Sequence, residues 1–243
     1  MSTIIIPARY GSSRFPGKVL ATIGGEPMIS RVVRQCKDTI ATDIHVVTDD
    51  ERVITAVTPL GVKAHMSPSD IATGTDRIAF VAANLTDDIV INVQGDEPFI
   101  PPTLINELIT QLEAEPTLNM NSACTPFLPN DNANDANHVK VVLSQAGYAL
   151  YFSRLPIPFD RDGKAKPQRY RHIGIYGYRR KFLLQYSKMA KTPLEAAEML
   201  EQLRALENGE RIKMIITPYR PISVDTAQDL QEAVEYFEKQ RGA

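Results

Sequence analysis

Residues Thr3-Ile4-Ile5-Ile6 form a short apolar run that stops abruptly at Pro7. A run of this kind, closed by turn residues, reads as a buried strand feeding a loop. The loop, which extends to Lys18, carries Arg9, Arg14 and Lys18 as cations and Gly11 and Gly17 as flexible backbone. In an open α/β sheet, ligands sit beyond the carboxyl ends of the strands. Cations there, beside glycines that let N–H groups approach closely, suit a polyphosphate. An ordinary βα loop with solvated charges has the same local pattern. The spacing is not that of a Walker A loop. Gly11, Gly17 and Lys18 enclose one residue too many, and Val19 stands where Ser or Thr is required.

The alternation of strand and helix continues from there. Asp43–Thr48 reads as a strand ending in the acidic pair Asp49-Asp50, followed by a short helix over Glu51–Thr58 and a strand over Val62–Met66. A helix begins at Gly74-Thr75. Asp88–Val93 is nearly all apolar, as expected of a central strand covered on both faces. Pro101 and Pro102 open a helix running from Thr103 to Glu115. This half shows no strong hairpin signal. The order predicts a Rossmann-like, doubly wound α/β sheet.

Past Asn121 the pattern changes. Val139–Leu143 and Tyr148–Phe152 flank the turn-rich Ser144–Gly147 and predict a β-hairpin. Phe159–Arg169 reads as a polar loop and Arg171–Tyr178 as a strand. Two helices follow, the second opened by Thr192-Pro193 with Glu195 at N3. In it Leu194, Ala197, Leu200, Leu203 and Leu206 read as a core stripe, with Glu201, Gln202 and Arg204 facing elsewhere. A late strand at Ile212–Thr217 and a terminal helix at Thr226–Lys239 complete the chain. The expectation is one domain over 1–243, its mixed sheet carrying an inserted hairpin region at 125–190.

Composition narrows the function classes. A chain of 243 residues buries enough surface to need no staples. The net charge of −2 argues against non-specific nucleic-acid binding. Cys36 and Cys124 lie in no metal or disulfide pattern and read as small buried residues. His45, His65, His138 and His172 are too scattered for a metal cluster. No stretch is apolar enough to cross a membrane, and the N-terminal run is too short for a signal sequence. The expected location is cytoplasmic.

Two carboxylates stand out. Asp96, in Gln94-Gly95-Asp96-Glu97-Pro98, directly follows the most apolar strand, where a carboxylate can hold Mg²⁺ beside phosphates. A plain turn is the competing reading. Asp225, in Val224-Asp225-Thr226, precedes the last helix and reads either as a second oxygen ligand or as an N-cap.

The segments PARYGSSRFPGK, GTDR, QGDEP, ALYFSR, HIGIYGY, EMLEQLRALENG and SVDTAQDL span essentially the whole chain. Together they resemble the sugar-acid cytidylyltransferases. That resemblance implies transfer of CMP from CTP to the anomeric hydroxyl of a keto sugar acid, with release of pyrophosphate. ALYFSR, HIGIYGY and LEQLRAL imply 3-deoxy-manno-octulosonate (Kdo), a lipopolysaccharide precursor, as the acid. It further implies that Arg9, Arg14 and Lys18 grip the triphosphate while Pro7, Ala8, Thr73, Gly74 and Thr75 enclose the cytosine. Asp96 and Asp225 would ligate Mg²⁺. Arg77, Gln94, Arg154, His172, Tyr176, Glu201 and Gln202 would line the sugar pocket. A homodimer formed through the hairpin region is also implied. Ile71-Ala72-Thr73 departs from the His-x-Ser found in many members, which keeps 8-amino-Kdo or another sugar acid open as the alternative.

Overall fold

In the computed structural model of the chain, which describes every residue except Ser13, Ala72 and Ala243, the backbone divides into two compact units. The first comprises Met1–Ile109 and Pro221–Ala243, the second Thr110–Arg220. The segment 125–190, expected as an insertion, lies inside the second.

The first unit opens with β1 (Ser2–Pro7), a 3-10 turn at Lys18–Leu20, β2 (Thr22–Ile23), β3 (Glu26–Pro27) and α1 (Met28–Lys37). It continues with β4 (Asp43–Thr48), α2 (Glu51–Val57), β5 (Lys63–Met66), α3 (Gly74–Ala82), β6 (Ile89–Asn92) and α4 (Pro102–Ala114), whose residues from Thr110 onward belong to the second unit. β1 lies between β6 and β4, and β4 pairs with β5, all parallel. Ile4, Ile5, Ile6, Val46, Val47, Val90 and Ile91 are fully buried, which is why these strands read as unbroken apolar runs rather than alternating ones. The register pairs Ile5 with Asn92, Pro7 with Val47 and Thr48 with Met66. The loops that leave these strands therefore all emerge at one edge, the carboxyl edge where α/β sheets bind ligands.

This half, which shows no strong hairpin signal in its sequence, nevertheless contains one short hairpin. β2 and β3 form a two-residue hairpin around Gly24-Gly25, both at positive φ, a Gly-Gly turn of the kind that matches strand twist. Its strands are only two residues each, too short to show any alternation.

The second unit contains β7 (Met120–Pro126), β8 (Lys140–Leu143), β9 (Ala149–Ser153), β10 (Tyr170–Arg179), α5 (Arg180–Tyr186), α6 (Pro193–Glu198), α7 (Gln202–Glu207) and β11 (Ile212–Ile216). β7 pairs antiparallel with β10 and parallel with β11. β8 pairs antiparallel with both β10 and β9, so the predicted hairpin is present. The chain then returns to the first unit, which ends in α8 (Ala227–Gly242).

Two expectations meet the structure only in part, for identifiable reasons. Only a strand-like pattern around Cys124 was legible for β7, without bounds, because Asn121, Ser122 and Thr125 interrupt its apolar pattern although all three are buried. The single helix after Thr192 is in fact α6 and α7, broken at Met199 with φ +53. The leucine stripe holds only in part: Leu200 and Leu203 are buried, but Ala197 is exposed. Leu194 is 41% exposed, while Glu195 is buried and accepts both Nε (2.8 Å) and Nη2 (2.5 Å) of the buried Arg204. A bidentate ion pair thus shares the inward face where the stripe was expected, and Gln202 and Arg204 are buried rather than facing elsewhere.

Candidate active site

In the first unit the loop after β1 and both candidate carboxylates meet at Lys18. Its ammonium donates to Asp96 Oδ2 (2.6 Å), Asp225 Oδ1 (2.8 Å) and the Val224 carbonyl (3.0 Å). Arg14 Nη2 reaches the other Asp225 oxygen at 3.0 Å. Burial by itself would lower the Lys18 pKa, but the adjacent carboxylates, Asp96 first, outweigh it and raise the value. Burial likewise works to raise Asp225, yet Lys18 and Arg14 hold its carboxyl below the ordinary range. Arg9 is exposed.

Chain segments far apart in sequence are locked together at this point. Val224 N–H donates to the Asp96 carbonyl at 3.1 Å, and Ser223 Oγ donates to Glu97 Oε1. Ile23, Met28, Val224 and Ala233 form a buried cluster flanked by Phe15, Phe99 and Phe237. That packing anchors the strand-like stretch before Asp225. The N-cap of α8 is not Asp225. Thr226 Oγ1 accepts the Asp229 N–H (3.2 Å), while Asp229 Oδ2 accepts the N–H groups of Asp225 (2.9 Å) and Thr226 (2.8 Å). With the cap supplied by its neighbours, the Asp225 side chain is left to the cation cluster.

The residues expected around the base gather beside this cluster. A Cβ on Gly74 would lie 3.7 Å from the Pro7 ring and 3.9 Å from Gln94 Oε1, so these three residues adjoin. A Cβ on Gly95 would lie 3.0 Å from the Pro7 carbonyl oxygen and 3.3 Å from Ala8 Cβ. Only glycine lets the Asp96 loop approach β1 this closely. Gln94 Nε2 donates to Asn92 at 3.3 Å. Thr73 caps α3, accepting the Asp76 N–H at 3.1 Å, and Thr75 is buried in its first turn.

Arg77 is buried. Its guanidinium donates to Ser67 Oγ, the Ile71 carbonyl (3.3 Å) and Asp49 (3.4 Å). Asp49 also accepts the Tyr10 N–H at 3.0 Å, and Arg52 lies 3.6 Å from the centre of the Tyr10 ring. Asp49, Tyr10 and Arg52 were absent from the sequence-based site. The Asp49-Asp50 pair at the end of β4 was the available signal.

In the second unit, His172 lies 5.4 Å from Tyr176, ring centre to ring centre, although the two are four residues apart on one strand. A regular strand would set them about 13 Å apart at ~3.3 Å per residue. The register explains the approach. Ile173 opposes Ala123 but Tyr176 opposes Ser122, so Gly174 and Ile175 form a bulge. His172 Nε2 lies 3.0 Å from Ser122 Oγ, and burial pushes the imidazole pKa down to about 3. Burial also raises the Tyr176 phenol well above its ordinary value, reinforced by Tyr186 and Glu201, so Glu201 belongs to the same cluster. Gln202 is buried, and its Nε2 has no hydrogen-bond partner among the described residues. Arg154 is committed to the backbone, donating to the carbonyls of Glu198 (2.7 Å), Ala136 (2.9 Å) and Met199 (3.3 Å).

The sequence profile of the cytidylyltransferase family matches residues 3–212. The chain belongs to the cytidylyltransferase family. Its relatives include a 3-deoxy-manno-octulosonate cytidylyltransferase of Geotalea daltonii, 47% identical over 99% of this chain and 99% of that protein. The protein of the same name from Geobacter sulfurreducens is 44% identical over 96% of this chain and 98% of its own length. A solved structure of CMP:2-keto-3-deoxy-manno-octonic acid synthetase complexed with CTP superposes with a TM-score of 0.93 at 38% identity, covering 98% of this chain and 99% of that one. The mixed, Rossmann-like α/β fold expected from the sequence is therefore the fold of this cytidylyltransferase.

The oxygens around Lys18 suit Mg²⁺. Two carboxylates and a carbonyl, all hard donors, converge on one cation. Among the described residues no group of three or more His, Cys, Asp and Glu could hold a metal, so ligation by protein alone would be sparse. Mg²⁺ is commonly held that way, by one or two carboxylates with substrate phosphates and water. Cys36 and Cys124 are buried, and burial raises both thiols, Cys124 to about 12, so neither supplies a nucleophile. No helix is long and apolar enough to cross a membrane among the described residues.

Proposed function

We infer that this cytidylyltransferase moves CMP from CTP to the anomeric hydroxyl of Kdo. The sugar oxygen forms a bond to the α-phosphorus, the bond from the α-phosphorus to the oxygen bridging to the β-phosphorus breaks, and pyrophosphate leaves as the hydroxyl gives up its proton to solvent water. The observation that carries this reading is the near full-length match to a CTP-bound synthetase at 38% identity, together with the cation cluster of Lys18, Arg14, Asp96 and Asp225.

Phosphoryl transfer of this kind needs positioning and charge neutralisation more than covalent chemistry. Lys18 and Arg14 would neutralise charge on the departing pyrophosphate, with Arg9 at the exposed end of the same loop. Pro7, Ala8 and Gly74 would enclose the cytosine, with Thr73 and Thr75 holding the start of α3. Asp96 and Asp225 would hold Mg²⁺, which when bound supplies Lewis-acid stabilisation at the phosphates. His172, Tyr176, Glu201 and Gln202 would bind the sugar acid, and a Gln202 Nε2 without a partner among the described residues supports that role. His172 stays neutral and is too weak a base to take the hydroxyl proton near neutral pH.

The homodimer belongs to this proposal. Leu150, Leu155 and Phe159 are 61%, 71% and 84% exposed, apolar surface in the second unit that a second copy would cover. So does a cytoplasmic location, supported by two free, buried cysteines. The test is a panel of CTP and UTP against Kdo, 8-amino-Kdo and a sialic acid, scored by pyrophosphate release. Release with CTP and Kdo above all other pairs supports the reading, and preference for another acid or nucleotide overturns it.

A further inference from the structure

The register of β10 against β7 shifts between Ile173, opposite Ala123, and Tyr176, opposite Ser122. Ser122, fully buried on β7, has its Oγ 2.8 Å from the Ile175 carbonyl oxygen and 3.4 Å from that of Ile173. The same Oγ is 3.0 Å from His172 Nε2. A serine hydroxyl has one proton to give. A carbonyl can only accept, so the proton lies toward Ile175. Toward His172 the oxygen can then only accept, and Nε2 must carry the hydrogen.

A neutral imidazole holds a single N–H. With Nε2 protonated, Nδ1 carries a bare lone pair, and no described residue bonds it. Burial disfavours the imidazolium, so the ring keeps one donor and one acceptor near neutral pH. Phe152, edge-on at 5.0 Å, and Tyr176 at 5.4 Å confine the ring on two sides.

We propose that Ser122 is a positioning residue for the sugar acid: it pins His172 as the Nε2–H tautomer and so presents Nδ1 as a hydrogen-bond acceptor to a sugar hydroxyl. This rests on the reading of His172 as a sugar ligand. Sugar acids bring several hydroxyl donors, and a site that fixes an acceptor rejects analogues lacking the matching group. Ser122 itself touches no substrate. Its sequence signal was nil, since a serine in a strand carries no motif.

Long-range 1H–15N spectra of the ¹⁵N-histidine-labelled enzyme test this directly, with the His172 signals assigned by their loss in His172→Gln. The expected wild-type spectrum shows the Nε2–H tautomer near neutral pH. Ser122→Ala should shift that population toward Nδ1–H. It should also raise KM for Kdo about tenfold, the worth of one hydrogen bond, and leave KM for CTP within about twofold. A wild-type spectrum dominated by Nδ1–H or by imidazolium overturns the proposal, and needs no variant to fold. So does a Ser122→Ala enzyme with unchanged tautomer or unchanged KM for Kdo while His172→Gln raises that KM. If His172→Gln leaves KM for Kdo unchanged, the sugar-ligand reading falls first and takes the proposal with it.

Discussion

Lys18 keeps its proton because Asp96 and Asp225 more than offset the cost of burying it. With its side chain only 12% exposed, it is not the solvated residue that its loop position suggested. Replacing it by alanine should lower turnover about 10²- to 10³-fold, the usual worth of one preorganised charge. It should also cost roughly 1–3 kcal/mol of stability, since two carboxylates lose their shared partner. Steady-state rates and urea unfolding of Lys18→Ala check both. The pH signs follow from the same contacts. Asp225 is depressed below its ordinary 3.8, so its contribution is complete above that value and is lost as pH falls further. Lys18 is raised above 10.5, so its contribution is complete below 10.5 and is lost as pH climbs higher. His172 behaves differently. Its pKa falls from 6.5 to about 3 on folding, so the unfolded chain binds more protons between those values. Stability is complete above 6.5 and declines as pH drops toward 3, and His172→Gln should flatten that slope in thermal melts across the window.

Elements place these side chains through a few close approaches. Gly95→Ala would force a methyl group to within 3.0 Å of the Pro7 carbonyl and part the Asp96 loop from β1. The expected outcome is CTP affinity reduced at least about tenfold with a small change in melting temperature, read by calorimetry. Met28, fully buried, packs with Val224 beside Asp225. Met28→Ala should cost about 2–5 kcal/mol by denaturant unfolding, as large-to-small core changes do. Legibility at this scale followed periodicity. β1 and β6 were readable because burial on both faces makes their apolar runs continuous. β2 and β3 were too short to show a pattern, and β7 showed only a strand-like pattern around Cys124, interrupted by buried Asn121, Ser122 and Thr125. The Met199 break was invisible because nothing in a methionine codes for φ +53. At the site, Asp96 and Asp225 were nameable, but which neighbour caps α8 was not, since Asp225 and Thr226 are both good caps. Arg77, a candidate for the sugar by resemblance, is engaged with Ser67, Ile71 and Asp49, partners that sequence spacing cannot connect.

At the scale of the whole chain, family and fold agree over nearly every residue, from a 47% relative to a CTP-bound structure at a TM-score of 0.93. The first unit gathers cations and carboxylates beside the close-packed Pro7, Ala8 and Gly95. The second gathers His172, Tyr176 and Glu201, with the Gln202 amide Nε2, which has no hydrogen-bond partner among the described residues. The proposed function assigns CTP to the first group and the sugar acid to the second. CTP affinity should respond to Lys18 and Asp225, and sugar affinity to His172 and Gln202, with little cross-effect on the other substrate's KM. The central claim is CMP transfer through the Lys18–Asp96–Asp225 cluster. Its most direct test is pyrophosphate release from CTP, Mg²⁺ and Kdo by the wild-type enzyme and by Asp225→Asn. The account predicts steady release by the wild type, balanced by CMP-Kdo, and a loss of at least about a hundredfold in the variant. No release by the wild type, or equal rates in both, would contradict it.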